Sequence, residues 1–259
     1  MNNKTAKQII NGYRLKFALI IALYLVALAV LILLTYVIGL IIPMIAIVFL
    51  ASSIRTPLDK LRQKELESII YEELDPEKFG ELLALGMFKK SNRHKVLYYM
   101  ASGKHDEILA LVDEVEAKSN NPIDKGNNLY RQGYVYFERG EYEKLPDIYK
   151  KFERLKKNNP KYAVALNSFT VFDKFDAFAD DDFEYVVDVC DIDLKELNEK
   201  KQNHNLTRIN IGFYRAVSLY KLGRMDEAKQ GFEEIIKFAP KMYKAKLSKE
   251  FLELIENEK

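Results

Sequence analysis

Two patterns of apolar residues divide the chain. From Phe17 to Ile54 they are continuous: 38 residues carry no charge, and only Thr35, Gly39, Pro43, Ser52 and Ser53 fall outside the hydrophobic class. Beyond that stretch apolar residues recur three and four positions apart among Lys and Glu, the period of helices that turn one face to a core. A membrane span needs about 20 apolar residues, whereas the apolar stretch of a secretory signal runs about 7–15. One 38-residue helix would be about 57 Å long against a hydrocarbon core of about 30 Å. The pattern therefore predicts two spans, at about 17–35 and 38–54. The turn falls between Thr35 and Gly39, and Pro43 lies early in the second helix.

Charge sharpens this division. The whole chain has 40 Lys+Arg, 38 Asp+Glu and a net charge of +2, which looks like an ordinary soluble protein. The basic N-terminal segment 1–16 holds Lys4, Lys7, Arg14 and Lys16 and no acid, and 55–64 holds Arg55, Lys60, Arg62 and Lys64 against Asp59. The first 64 residues thus carry +7 and the remaining 195 carry −5. Lys and Arg stay on the cytoplasmic side of a membrane. A hairpin keeps both basic groups there, so the expected location is the cell membrane with two spans, both termini and the large domain being cytoplasmic. The net charge lacks the basic excess of a dedicated nucleic-acid binder.

After the apolar stretch the reading is all-α. Thr56-Pro57 and Asp75-Pro76 each place a capping side chain before a proline at a first helical position. They bound a helical connector over 55–88, bent at Asp75, with Phe79, Leu82, Leu83 and Met87 on its apolar face. Residues 89–240 then divide into helix-turn-helix units, and 241–259 carry Phe251, Leu252 and Ile255 among Lys and Glu, as a capping helix would.

The clearest unit ends in RAVSLYKLGRMDEAKQGFEEIIKFAP at Pro240. Its Ala216, Gly223, Ala228, Phe232 and Pro240 resemble the tetratricopeptide repeat, a helix-turn-helix unit of about 34 residues. A second unit, NLYRQGYVYFERGEYEKLPDIYKKFERL, has Gly133 at the small position, Tyr136 three later and Gly140 at the turn. It departs from the pattern at Leu145, beside which Pro146 belongs in the first turn of its helix. A weaker unit, over about Lys89 to Lys118, keeps Gly103 at the turn but has Val96 and Ile108 where small residues stand in the family. Lys161 to Lys201 has the length of a helix pair, with Phe169, Phe172, Phe175 and Phe178 at spacing three. The resemblance implies an α-solenoid following a transmembrane helical hairpin.

It also implies a binding surface. In this family the first helices of successive units line a concave groove that takes peptides or helices. Carried onto this chain, that groove presents Asn127, Tyr130, Tyr134 and Glu138 from one unit and Asn210, Phe213, Val217, Tyr220 and Lys221 from the last. The Lys/Asn clamp that some members use for C-terminal carboxylates is not evident here.

No catalytic chemistry is legible. His94, His105 and His204 are not at metal-ligand spacing and read as surface or turn residues. Cys190 stands among Val186, Val187 and Val189 and reads as a small buried hydrophobe. P-loop, GxGxxG, HExxH and GxSxG patterns are absent from the sequence. Asp180, Asp181 and Asp182 lack the spacing and glycine of a calcium loop and read as helix-capping acids. The sequence thus predicts neither an enzyme nor a cofactor or metal, but a membrane-anchored adaptor whose partners are a protein and the lipid bilayer. The other reading is an accessory subunit of a membrane enzyme or export complex that acts through its hairpin.

Overall fold

The computed structural model describes residues 6–38, 63–64, 67–86, 91–199 and 205–257, and every regular element among them is helical. Two compact units divide the chain, Met1–Lys89 and Lys90–Lys259.

In the first unit, α1 runs Ala6–Ile38. It absorbs most of the basic segment that the sequence places before the membrane. It also continues through the expected turn at Thr35 as far as Ile38, because nothing before Gly39 breaks helical geometry. The second expected span, 38–54, and the Thr56-Pro57 start lie outside the described residues. The described side chains of α1 end at Val30, and among the described residues no helix is long and apolar enough to cross a membrane. Leu15, Leu19, Leu23, Leu25, Val26 and Val30 are all exposed on α1. Helix α2, Pro76–Ala84, starts as the sequence dictates: the Asp75 carboxylate accepts from the Lys78 N–H at 3.1 Å, and Pro76 occupies the first turn. Phe79 and Leu82 are buried with Ile69, Ile70 and Leu74.

The second unit is a chain of antiparallel helices. Helices α3 (Asn92–Ser102) and α4 (His105–Glu116) form one hairpin; α5 (Pro122–Glu138) and α6 (Leu145–Asn158) form the next. A short α7 (Ala163–Asn167) leads to α8 (Val171–Ala179) and α9 (Phe183–Glu199). The last pair is α10 (Asn205–Lys221) with α11 (Met225–Phe238), followed by α12 (Tyr243–Asn257). Each hairpin turn has a geometric cause. Gly103, Gly140 and Gly223 have φ of +67°, +71° and +74°, a conformation in which a side chain is strained. At Gly223 the glycine N–H donates to the Tyr220 carbonyl at 3.0 Å and the next N–H, of Arg224, to that of Leu219 at 2.9 Å, closing the helix end. Pro146 sits in the first turn of α6, as the sequence indicates.

Between hairpins, packing is aromatic. Phe172, Phe175 and Phe178 of α8 are buried; Phe172 stacks on Phe152 of α6 at 3.8 Å, and Phe178 meets Phe137 of α5 edge-on at 4.7 Å. Gly133 lets α5 approach α8: a Cβ there would lie 2.4 Å from the Phe175 ring. Ala216, Ala228 and Phe232 are buried where α10 and α11 meet, Tyr136 is half-buried beneath Lys144 at 5.0 Å, and Pro240 is exposed just after α11 ends. The Asp182 carboxylate accepts from the Tyr185 N–H at 3.3 Å, the capping role expected of that acidic run.

Gly133→Ala should lower the unfolding free energy by about 1–3 kcal/mol through overpacking. Gly212→Ala, in α10 with nothing within 4 Å of its Cβ position, should instead be neutral or stabilise by up to about 1 kcal/mol. Urea unfolding followed by circular dichroism of the two variants separates these outcomes.

Candidate functional site

Four of the residues expected to line a groove, Tyr134, Glu138, Phe213 and Tyr220, lie against the last helix. α12 packs against α10 and α11 and also reaches α3, so the last helix of the second unit meets its first hairpin. Tyr134, Glu138, Phe213 and Val217 are buried there rather than presented to solvent. Asn127, Tyr130, Asn210 and Tyr220 are half-buried, and Lys221 is exposed with its Nζ 5.4 Å above the Tyr142 ring. The segment 241–259, expected as a solvating cap, contains a terminal helix with one face buried and the other exposed. Lys244, Ala245, Leu247, Ser248 and Ile255 of α12 are all buried.

Lys244 explains the arrangement. The residue is 1 % exposed, and its ammonium pairs with Glu138 of α5. The Tyr134 hydroxyl lies 3.3 Å from Nζ, and the rings of Tyr134, Phe213 and Tyr214 lie 4.6, 4.9 and 5.9 Å from it. These faces are electrostatically suited to a cation taken out of water. The other Glu138 oxygen is 2.8 Å from Nε2 of His105, at the start of α4. An ionised carboxylate only accepts hydrogen bonds, so the imidazole carries a proton on Nε2. Tyr243 closes the cluster from above, its ring edge-on to His105 at 5.2 Å and packed where Gly103 lacks a Cβ. Burial pushes the Glu138 carboxyl upward. The Lys244 ammonium and hydrogen bonds from His105, Lys244 and Tyr134 outweigh it and hold the group below the usual carboxylate value. Burial, and then the Glu138 charge, push the Tyr134 phenol well above its ordinary value. The cluster is closed and dry, and its chemistry is that of a structural ion pair.

About two turns along α12 from Lys244, Phe251 stacks on Phe232 at 4.9 Å with planes 9° apart and meets Phe213 and Tyr220 edge-on at 6.1 and 5.3 Å. Lys244 and Phe251 are thus a cationic and an aromatic key seated in one face. Sequence reading missed both roles of this helix. A Lys in a Lys/Glu-rich terminus reads as solvated, and only its partner, 106 positions away, reveals otherwise.

The remaining candidates resolve simply. His94 and His105 are buried, correcting their reading as surface or turn residues, and His204 lies outside the described residues. Cys190 is buried as expected, and burial pushes its thiol up to about 12. Lys174, the one Lys or Arg between Asp173 and Asp193, is buried and paired with Asp193 at 2.9 Å. Among the described residues no group of His, Cys, Asp and Glu has the geometry to hold a metal ion.

The second unit is therefore an array of antiparallel helix pairs, with α12 packed against its last pair and its first hairpin. Residues 212–241 match the tetratricopeptide repeat family, spanning most of α10, all of α11 and the turn glycine between them. No curated protein and no solved structure matches the chain.

Removing Lys244 leaves a buried carboxylate without its main counter-charge, so Lys244→Ala should cost about 3–5 kcal/mol in denaturant unfolding. Glu138 has a folded value below its unfolded one, so its contribution is complete above about pH 4.5 and is lost as pH falls through the folded value. Glu138→Gln should therefore flatten the decline in stability below about pH 4.5; an unchanged acid limb in that variant removes Glu138 as its source.

Proposed function

We propose that this chain is a membrane-anchored adaptor whose helical array binds another protein on the cytoplasmic side. The observation that carries the binding role is the repeat match at 212–241 within an array of like hairpins. Such arrays act through their inner faces, and aromatic side chains such as Tyr130 and Tyr220 are frequent anchors at protein interfaces. Asn127, Tyr130, Asn210, Tyr220 and Lys221, still half-buried or exposed, supply the rim.

The anchor rests on the uncharged stretch from Phe17 to Ile54 and the basic residues on both sides of it. A helix apolar on all sides, as α1 is beyond Lys16, is stable only when something apolar surrounds it. Its exposed Leu and Val side chains are consistent with a lipid environment. With both basic flanks on one side, the two-span arrangement leaves both termini and the array in the cytoplasm. The mechanism is non-covalent. Tethering raises the local concentration of a bound partner at the membrane, with no cofactor or metal in the reading.

Single cysteines at Asn2, Val37 and Lys259, in a chain with Cys190 replaced, test the topology by impermeant labelling. Positions 2 and 259 should be shielded together, and labelling of one without the other sinks the hairpin. Crosslinking from intact membranes should capture a protein through the array. Capture that persists when a generic two-span anchor replaces 1–64 assigns binding to the array; capture that disappears assigns it to the spans.

A further inference from the structure

The seam between α12 and the inner face is built unlike the rest of the core. Elsewhere the core of the second unit is mostly rings and aliphatic side chains, and its other buried ammonium, Lys174, pairs with an Asp193 that is one-third exposed; here the central contact is the Lys244–Glu138 ion pair, buried at both ends. Apolar residues of similar volume generally serve a permanent core as well or better. Two hydroxyls buried in the helices of this seam, those of Tyr214 on α10 and Ser248 on α12, have no hydrogen-bond partner. A buried donor left unmade is a standing cost. α12 is joined to α11 only through Ala239–Met242, and its outer side, with Lys246, Lys249, Glu250 and Glu253, is exposed.

We propose that the face formed by Tyr134, Glu138, Phe213 and Tyr220 is the docking site for a helix of the partner protein. That helix presents a Lys or Arg and, seven residues later, an aromatic ring. α12 is the built-in competitor that must leave first. The proposal rests on the adaptor reading and specifies its ligand and regulation. The selectivity follows from charge. When α12 departs, Glu138 loses its ammonium and Phe213 and Phe232 lose the Phe251 ring. An apolar helix restores the ring contacts and leaves the carboxylate unpaired. A helix with a cation at the right place restores both, and discrimination comes from the penalty on the wrong ligand. Glu138 is already held by His105 in the geometry that receives a cation, so the acceptor is preorganised.

The test uses the full chain in detergent micelles and a fluorescent peptide of the α12 sequence, Lys241–Lys259. Hydrogen exchange on the unsubstituted protein comes first. The α12 amides should exchange through an opening in which α5 and α10 stay protected. Exchange of α12 only together with α5 and α10 overturns the proposal without reference to any variant. The peptide should then bind a Phe251→Ala chain, whose own helix is loosened, at least about 10-fold tighter than it binds the unsubstituted chain. On that chain a peptide with Lys244→Met should bind at least about 10-fold more weakly, and one with Lys244→Arg within about threefold. Equal binding of the Met and Lys peptides also overturns it. Failure of the membrane crosslinking with these affinities intact would remove the adaptor reading and leave the exchange standing, so the two claims fail separately.

Discussion

A carboxylate taken out of water loses several kcal/mol of hydration that only close, well-oriented partners can restore. Glu138 is such a group, and its position makes the demand stricter, because it sits in the last turn of α5 where the helix dipole already disfavours negative charge. The partners come from distant parts of the chain. His105 arrives from 33 residues before it and Lys244 from 106 residues after. His105 reaches the carboxylate because Gly103 turns the first hairpin left-handed and leaves room for the Tyr243 ring. Lys244 reaches it because Pro240 and the short link after α11 turn the chain back toward the first hairpin. The charge cluster thus ties the first hairpin, the second hairpin and the last helix of the array into one body.

Local chemistry in the sequence was a good guide to local structure. Glycine at a helix end, proline in a first turn and aspartate before a proline each have one dominant conformational consequence, and Gly140, Gly223, Pro146 and Asp75 obey it. Apolar spacing likewise indicated helix pairs, and Lys161 to Lys201, which offered only the length of a pair, contains α8 and α9. What resisted reading was long-range pairing. Lys244 differs in no local respect from the solvated lysines around it, and His105 in a turn looks like any polar turn residue. Their burial is decided by Glu138, which itself looks like a surface acid at a helix end. Tyr134, Glu138, Phe213 and Tyr220 share contacts with the last helix, but nothing in their own spacing indicates it. A signal existed only in the register of α12, where Tyr243, Leu247, Phe251 and Ile255 make a longer apolar stripe than a cap needs.

The aromatic content supports the same picture from the packing side. Rings pass contacts from Phe152 through Phe172 and Phe175 to Tyr214, and from Phe137 through Phe213 to Phe251. At Gly133 a ring of this chain, Phe175, occupies the space a Cβ would need. The small residue that marks a repeat in sequence is therefore the site where one hairpin receives a ring of the next. Rings of this size leave little room for rearrangement within a hairpin. The softer contacts are the charged and hydroxylic ones beneath α12, and a conformational change that spares the hairpins has to run through that seam.

This has a consequence for how an anchored array would choose its partner. α12 is attached by a few residues, so it competes for the inner face at an effective concentration on the order of millimolar. A partner helix of similar quality, free in solution at ordinary cellular levels, loses that competition by mass action alone. It wins if it brings better contacts, or if it is itself concentrated where the array is held. Under the proposed anchoring, a partner confined to the same membrane gains the second advantage without any new contact. The self-filled face and the apolar N-terminal stretch then act together: the first silences binding in dilute solution, and the second specifies the place where it is allowed.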